Sequence, residues 1–176
     1  MPQHTEFAAK NAKYVASFGD KGSLPMPPGK KLIVLTCMDA RLDPAAHLGL
    51  SEGDAHVIRN AGGMATRPTN RKDSLRSLII SQRLLGTREI AVFHHTDCGM
   101  LTFASADVRK IVKDAAPGDE QLAARVEGID FLPFKDLEQS VREDVAYLKG
   151  EALILEGTEV TGWVYDVKTG SVKRVV

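Results

Sequence analysis

Two short apolar runs in this chain break off directly into compact polar motifs, and each motif holds one of its only two cysteines. Lys31-Leu32-Ile33-Val34-Leu35-Thr36 leads into Cys37-Met38-Asp39-Ala40-Arg41, and Glu89-Ile90-Ala91-Val92-Phe93-His94 leads into His95-Thr96-Asp97-Cys98. Runs of this length, rich in β-branched residues and without polar alternation, suit parallel strands buried on both faces. Both motifs then fall just past the C-terminal ends of predicted strands, where open α/β sheets bind their ligands. Thiolate and imidazole donors in that position point to zinc.

The remaining patterns supply the frame. Helical spacing over residues 5 to 18 (Phe7, Ala8, Ala12, Tyr14, Val15, Phe18) predicts an N-terminal helix, and the Gly/Pro-rich stretch from Gly19 to Lys30 makes it an arm on a connector. Asp43 as N-cap with Pro44 at the first helical position predicts a short helix ending before Gly49. Ala55 to Asn60 reads as a second strand, followed by a turn at Ala61-Gly62-Gly63-Met64 where backbone can approach a ligand closely. Asp73 to Leu85 reads as a buried helix carrying Leu75, Leu78, Ile79, Leu84 and Leu85, stopped by Gly86. Further helices are predicted from Met100 to about Lys113 and from Asp136 to Lys149, with a break at Ala116-Pro117-Gly118. Thr161 to Val167 alternates around Trp163 and Tyr165 and turns at Lys168-Thr169-Gly170 into Ser171 to Val176 as a hairpin. Strands alternating with helices define an α/β class: a mostly parallel central sheet flanked by helices, with an antiparallel edge from the C-terminal hairpin and an N-terminal helical arm. One domain over residues 1–176 is expected, of which 1–30 form the arm and connector.

Charge narrows the partners. Lys and Arg total 23 against 23 Asp and Glu, so the chain lacks the field that nucleic acid or an anionic membrane would require. Arg59, Arg67, Arg71, Lys72 and Arg76 make one locally basic stretch, but no stacking aromatics accompany it, so it reads as a solvated or subunit-contact face. The absence of a membrane-length apolar run, a leader-like apolar core or a disulfide framework makes the reducing cytoplasm the expected compartment.

Within the candidate site, Cys37, His95 and Cys98 supply three ligands and leave a fourth position open, the pattern of a catalytic zinc centre. A closed structural site completed by His94, His47 or His56 is the alternative, and His94 is poorly placed for it because strand neighbours point to opposite faces. If Cys37, Asp39 and Arg41 are locally extended, they share one side. Arg41 would then keep the Asp39 carboxylate ionised and oriented beside the metal, and Asp39 could itself bind zinc. An ordinary salt bridge closing a turn is the plainer reading of that pair, and a turn alone is the plainer reading of Gly62 and Gly63.

The signatures Cys-x-Asp-x-Arg and His-x-x-Cys are both intact, and with them the chain resembles the β-class carbonic anhydrases. Cys37 to Asp43, Arg59-Asn60-Ala61-Gly62-Gly63 and His94 to Leu101 are similar to the short bacterial branch known from mycobacteria, and the likeness spans nearly the whole chain. The resemblance implies one Zn²⁺ per chain on Cys37, His95 and Cys98, an Asp39–Arg41 dyad, and substrate or bicarbonate held by the Gly99 backbone N–H with Gly62 and Gly63 nearby. It implies reversible hydration of carbon dioxide to bicarbonate and a proton through zinc-bound hydroxide, and a homodimer or homotetramer with the N-terminal helix embracing its partner. It also implies an open state with Asp39 held by Arg41 and a closed state with Asp39 as fourth ligand; loss of hydroxide as a competing ligand then predicts that low pH favours closure. Met64 to Lys72 departs from that branch in being more basic and longer. Relatives of this fold hydrolyse carbonyl sulfide or carbon disulfide with the same zinc motifs, so those substrates are the alternative, together with a non-catalytic bicarbonate- or zinc-sensing protein.

Overall fold

The computed structural model describes residues 2–65 and 73–176. Most of the basic loop expected over Met64 to Lys72, with Arg67, Arg71 and Lys72 of the basic stretch, lies outside the described residues.

Five strands form one sheet in the order β2-β1-β3-β4-β5. β1 (Leu32–Cys37), β2 (Ala55–Asn60), β3 (Glu89–His95) and β4 (Glu159–Tyr165) are parallel, and β5 (Val172–Arg174) closes the edge antiparallel to β4. The helices are α1 (Phe7–Ala16), α2 (Pro44–Leu48), α3 (Asp73–Leu85), α4 (Ser105–Asp114), α5 (Glu120–Glu127) and α6 (Leu137–Gly150). The mostly parallel sheet with its antiparallel edge is the one the sequence predicts. Because β1 lies between β2 and β3, the winding of the sheet reverses there, and the C-terminal ends of β1 and β3 stand side by side at the crevice this creates.

One face of the sheet carries the core. Ile33, Leu35, Ile90, Val92 and Val160 pack with Leu75 and Leu78 of α3 and with Val145 and Leu148 of α6. α2 forms as its signals require: the Asp43 carboxylate accepts the Ala46 N–H and Gly49 takes a left-handed conformation after the last turn.

Three expectations need correction. α3 is buried along one stripe only, and Leu84 is 75% exposed because it lies nine residues on from Leu75, about 180° round the helix. The helix expected from Met100 begins only at Ser105; Gly99–Leu101 is a single 3₁₀ turn. There Thr102 gives both its N–H and its hydroxyl to the Gly99 carbonyl, at 3.0 and 2.7 Å, and the Asp107 carboxylate starts the next helix by accepting the Ala104 N–H. Finally, α5 was not anticipated, although Asp119 caps it by accepting the Leu122 N–H at 2.9 Å.

The opposite face of the sheet is covered only in part: Val34 and Phe93 are buried there, with His47 of α2 against Phe93. Phe93 stacks on Trp163 with centroids 5.9 Å apart, and with Val34, Leu48 and Leu50 they line a groove of about 340 Å³. α1 buries none of its residues, leaving Phe7, Tyr14 and Val15 exposed. Its end is tied to the body through Glu52, which accepts from the Tyr14 hydroxyl and pairs with Lys21, both at 2.7 Å.

Close packing of α6 on the sheet depends on Gly162 in β4. A Cβ at that position would lie 2.5 Å from Val141 Cγ1 and 2.9 Å from Val145 Cγ2. Gly162→Ala is expected to destabilise the fold by about 1–3 kcal/mol. Adding Val141→Ala, which removes the nearest atom, should recover part of that loss in urea denaturation.

Candidate metal centre

Cys37 is the last residue of β1 and His95 the last of β3, so two adjacent parallel strands deliver a sulfur and an imidazole to one point. Cys98 joins them from the loop after β3. Ligand atoms of Cys37, His95 and Cys98 all lie within 4.8 Å of one another, the one such cluster among the described residues. All three side chains are buried. Leu42, Met100, Phe103, Phe134, Tyr165 and Val167 pack around the two cysteines, so the donors sit in an apolar setting.

The imidazole is fixed for coordination. His95 Nδ1 donates to the Thr96 carbonyl at 2.9 Å, because a carbonyl can only accept. The lone pair then belongs to Nε2, which is buried and has no hydrogen-bond partner. An orphaned imidazole nitrogen facing two sulfurs is the donor set zinc prefers, and a tetrahedral shell would place such atoms about 3.5–3.8 Å apart, within the observed limit.

The two thiols are shifted in opposite directions. The hydrogen bond from Cys98 pulls the Cys37 thiol down to about 4 against the cost of burial, helped by His95 and by the backbone N–H groups of Asp39 and Gly62. The same contact, with burial, pushes Cys98 far above the ordinary thiol range. At His95 burial works downward, but the neighbouring Cys37 sulfur and the Thr96 carbonyl prevail, and the imidazole is raised.

Asp39 and Arg41 do not continue the strand. The Asp39 carbonyl accepts the Leu42 N–H, and the Asp39 carboxylate folds back to accept the Arg41 N–H at 2.9 Å, making a turn in place of the expected extended segment. The pair still forms: Arg41 Nε reaches Asp39 Oδ1 at 3.0 Å and Nη2 reaches Oδ2 at 2.7 Å. These bonds hold the Asp39 carboxyl well below the usual carboxylate range. Oδ2 lies 3.8 Å from His95 Nε2, beside the ligand cluster.

Both loop glycines are constrained. Gly63, at φ +75°, lies so close to the ends of β1 and β3 that a Cβ would fall 2.6 Å from the Phe93 carbonyl and 2.9 Å from the Cys37 nitrogen. Gly62 is set mainly by its left-handed backbone at φ +83°, since a Cβ there would meet only side-chain atoms, Met100 Cγ at 3.0 Å and Met64 Cγ at 3.2 Å. Gly99 opens the 3₁₀ turn directly after Cys98, so its N–H belongs to a short turn and not to the start of the longer helix the sequence suggested.

The alternative ligands are elsewhere. His94 stacks on Phe134 and bonds Asp144 Oδ2 through Nε2, His56 bonds the Ser81 hydroxyl, and His47 lies against Tyr165. A closed Cys2His2 shell built from them is therefore excluded by the geometry. Sequence reasoning also misjudged Arg59. It donates to the carbonyls of Cys37 and Asp39, at 3.0 and 2.7 Å, and braces the first motif. Asn60 beside it clamps the glycine turn, bonding both the N–H and the carbonyl of Met64. The Arg59-Asn60 pair was visible as a motif, but only the tertiary fold shows which carbonyls it reaches.

The family model described as Carbonic anhydrase matches residues 32–172. Beta-carbonic anhydrase 1 of Mycobacterium tuberculosis is 41% identical over 97% of this chain and 96% of its own length. A carbon disulfide hydrolase of Acidianus is 33% identical over 97% of this chain and 89% of its own. Among solved structures, a carbonic anhydrase from Glaciozyma antarctica superposes with a TM-score of 0.88 at 52% identity, covering 96% of this chain and 95% of that one.

The raised Cys98 thiol has a measurable consequence. Near neutral pH metal-free protein keeps Cys98 protonated, so zinc uptake must expel that proton. Calorimetry in buffers of different ionisation enthalpy should record release of at least about one proton per site. Uptake with no proton release would contradict this ligand set.

Proposed function

The chain belongs to the β-carbonic anhydrase family, and from that premise we propose that it catalyses the reversible hydration of carbon dioxide to bicarbonate and a proton with one Zn²⁺ per chain. The observation that carries the reading is the buried convergence of Cys37, His95 and Cys98 with the Asp39–Arg41 pair at its edge.

In this reading Cys37 and Cys98, as thiolates, and His95 through Nε2 hold the metal. Zinc, when bound, supplies Lewis-acid activation of a water molecule. The two thiolates formally offset the charge of the ion they hold, so the reacting water loses its proton less readily than in a three-histidine site, where its pKa is about 7, and turnover rises toward alkaline pH. Asp39, kept ionised by Arg41, is a poor proton acceptor at neutral pH and acts by accepting a hydrogen bond that orients the water. Gly99 offers its N–H to a substrate or bicarbonate oxygen, with the turn at Gly62 and Gly63 forming the adjoining wall. Were Arg41 to release it, Asp39, whose Oδ2 lies 3.8 Å from His95 Nε2, would be placed to offer the metal a fourth ligand in place of water.

Assembly belongs to the same proposal. An arm that buries nothing in its own chain and an open apolar groove on the sheet are complementary surfaces. The arm of one copy covering another gives a homodimer, which pairs further in a homotetramer. Among the described residues no helix is long and apolar enough to cross a membrane, and two reduced cysteines as metal ligands suit the cytoplasm.

The deciding experiment is stopped-flow hydration of carbon dioxide by zinc-loaded protein from about pH 6.5 to 9. Rapid turnover rising with pH, abolished in Cys98→Ala with loss of zinc and reduced about 10- to 100-fold in Arg41→Ala, is the expected result. Zinc-replete protein without turnover would reject the assignment and favour hydrolysis of carbon disulfide, the activity named for the Acidianus relative. Deleting residues 1–18 should shift the sedimentation coefficient to that of a single chain.

A further inference from the structure

Arg41 is held on both of its edges. Nε and Nη2 bind the Asp39 carboxylate, whereas Nη1 donates to Asp97 Oδ2 at 2.7 Å and Nη2 donates to the Asp97 carbonyl at 2.9 Å. Asp39 and Asp97 use different N–H groups, so they reinforce one another and do not compete. Asp97 comes from the second motif, between His95 and Cys98, and the contact therefore links the two ligand loops.

Its backbone is unusual. Asp97 adopts φ +55°, one of three left-handed non-glycine residues among those described. In that conformation its carbonyl and its carboxylate meet the same guanidinium, and the cost is one that Asp and Asn bear better than most residues. The Asp97 side chain is 68% exposed and that of Arg41 48% exposed. Neither is kept in place by being enclosed.

Building on the hydration reading, we infer that Asp97 is a positioning residue: it grips Arg41 from the edge opposite Asp39 and thereby fixes the guanidinium that holds Asp39 off the metal ligands. Without that grip Arg41, a long and exposed side chain, samples other rotamers. Asp39 then spends part of its time unpaired, 3.8 Å from His95 Nε2, where it takes the fourth position instead of water. Lys168, on the β4–β5 turn, is the other cation that acts on Asp97.

Asp97→Asn tests this directly, because asparagine tolerates the left-handed backbone while the charge is lost and one of the two acceptor oxygens is replaced by a donor amide. In zinc-loaded protein kcat/KM for carbon dioxide should fall about tenfold, with zinc content and thermal midpoint unchanged. A crystal structure of the variant should show Arg41 turned away from Asp39. In the Arg41→Ala background the same substitution should have no further effect, since a residue acting through Arg41 has nothing left to position. Asp97→Gly, which takes the backbone conformation freely, should reproduce the result. An unmoved Arg41 with wild-type kcat/KM, or an equal loss in the Arg41→Ala background, would overturn the role. Wild-type protein that holds zinc and does not hydrate carbon dioxide would defeat the hydration reading instead, and the Arg41 rotamer in the variant crystal would still decide for or against the grip of Asp97.

Discussion

Burying two thiols and an imidazole nitrogen without a partner is unfavourable unless a cation joins them, and this structure is arranged around that demand. The contact between Cys37 and Cys98 eases the two sulfurs but leaves His95 Nε2 without a hydrogen-bond partner. The backbone N–H groups of Asp39 and Gly62 turned toward Cys37, and that of Met100 turned toward Cys98, stabilise sulfur in its ionised form. These donors lie in the loops, so the loops had to be fixed in turn. Arg59 pins the first loop by its carbonyls, Asn60 pins the glycine turn, and Thr96 is tied to the end of β4 through the Tyr165 carbonyl and the Val167 N–H.

A second buried polar group shows how the frame meets the site from behind. Asp144 of α6 accepts from the Ala65 N–H at 3.0 Å and bonds His94 Nε2 at 3.1 Å. One carboxylate thus joins the helix, the end of the glycine turn and the residue before the imidazole ligand. His94 and His95 are both fully buried but serve different faces: one belongs to the packing of helix on sheet, the other to the ligand cluster. Gly63 completes the arrangement because the turn can press against the ends of β1 and β3 only where no Cβ intervenes.

Much of this was legible in the sequence, for identifiable reasons. The strands β1 and β3 are short apolar runs, α2 has its cap and proline adjacent in sequence, and two of the three candidate ligands, Cys37 and His95, end those strands with Cys98 three residues further on. Local signals failed where two local structures compete. From Met100 onward the residues suit a helix, but Thr102 finds a nearer acceptor in the Gly99 carbonyl, and nothing in the spacing announces that. Arg59 and Asp97 were missed for another reason. Their partners are 20 and 56 positions away in the chain, and a charge seen alone in a polar stretch is indistinguishable from a solvated one.

The charges of the assembled site bear on turnover. Two thiolates would formally cancel a divalent ion, and Arg41 faces two carboxylates, Asp39 and Asp97, so the site with its dyad carries no net positive charge. A neutral, linear substrate entering an apolar setting loses little hydration, and the site exerts no net attraction on the anion that must leave. A three-histidine centre of charge +2 acidifies water more strongly but also holds anions more strongly. The thiolate site gives up part of the first effect and, with it, part of the second. In the proposed mechanism the carboxylate that has to be controlled is that of Asp39, and Arg41, with hydrogen bonds on both edges, is the group that holds it.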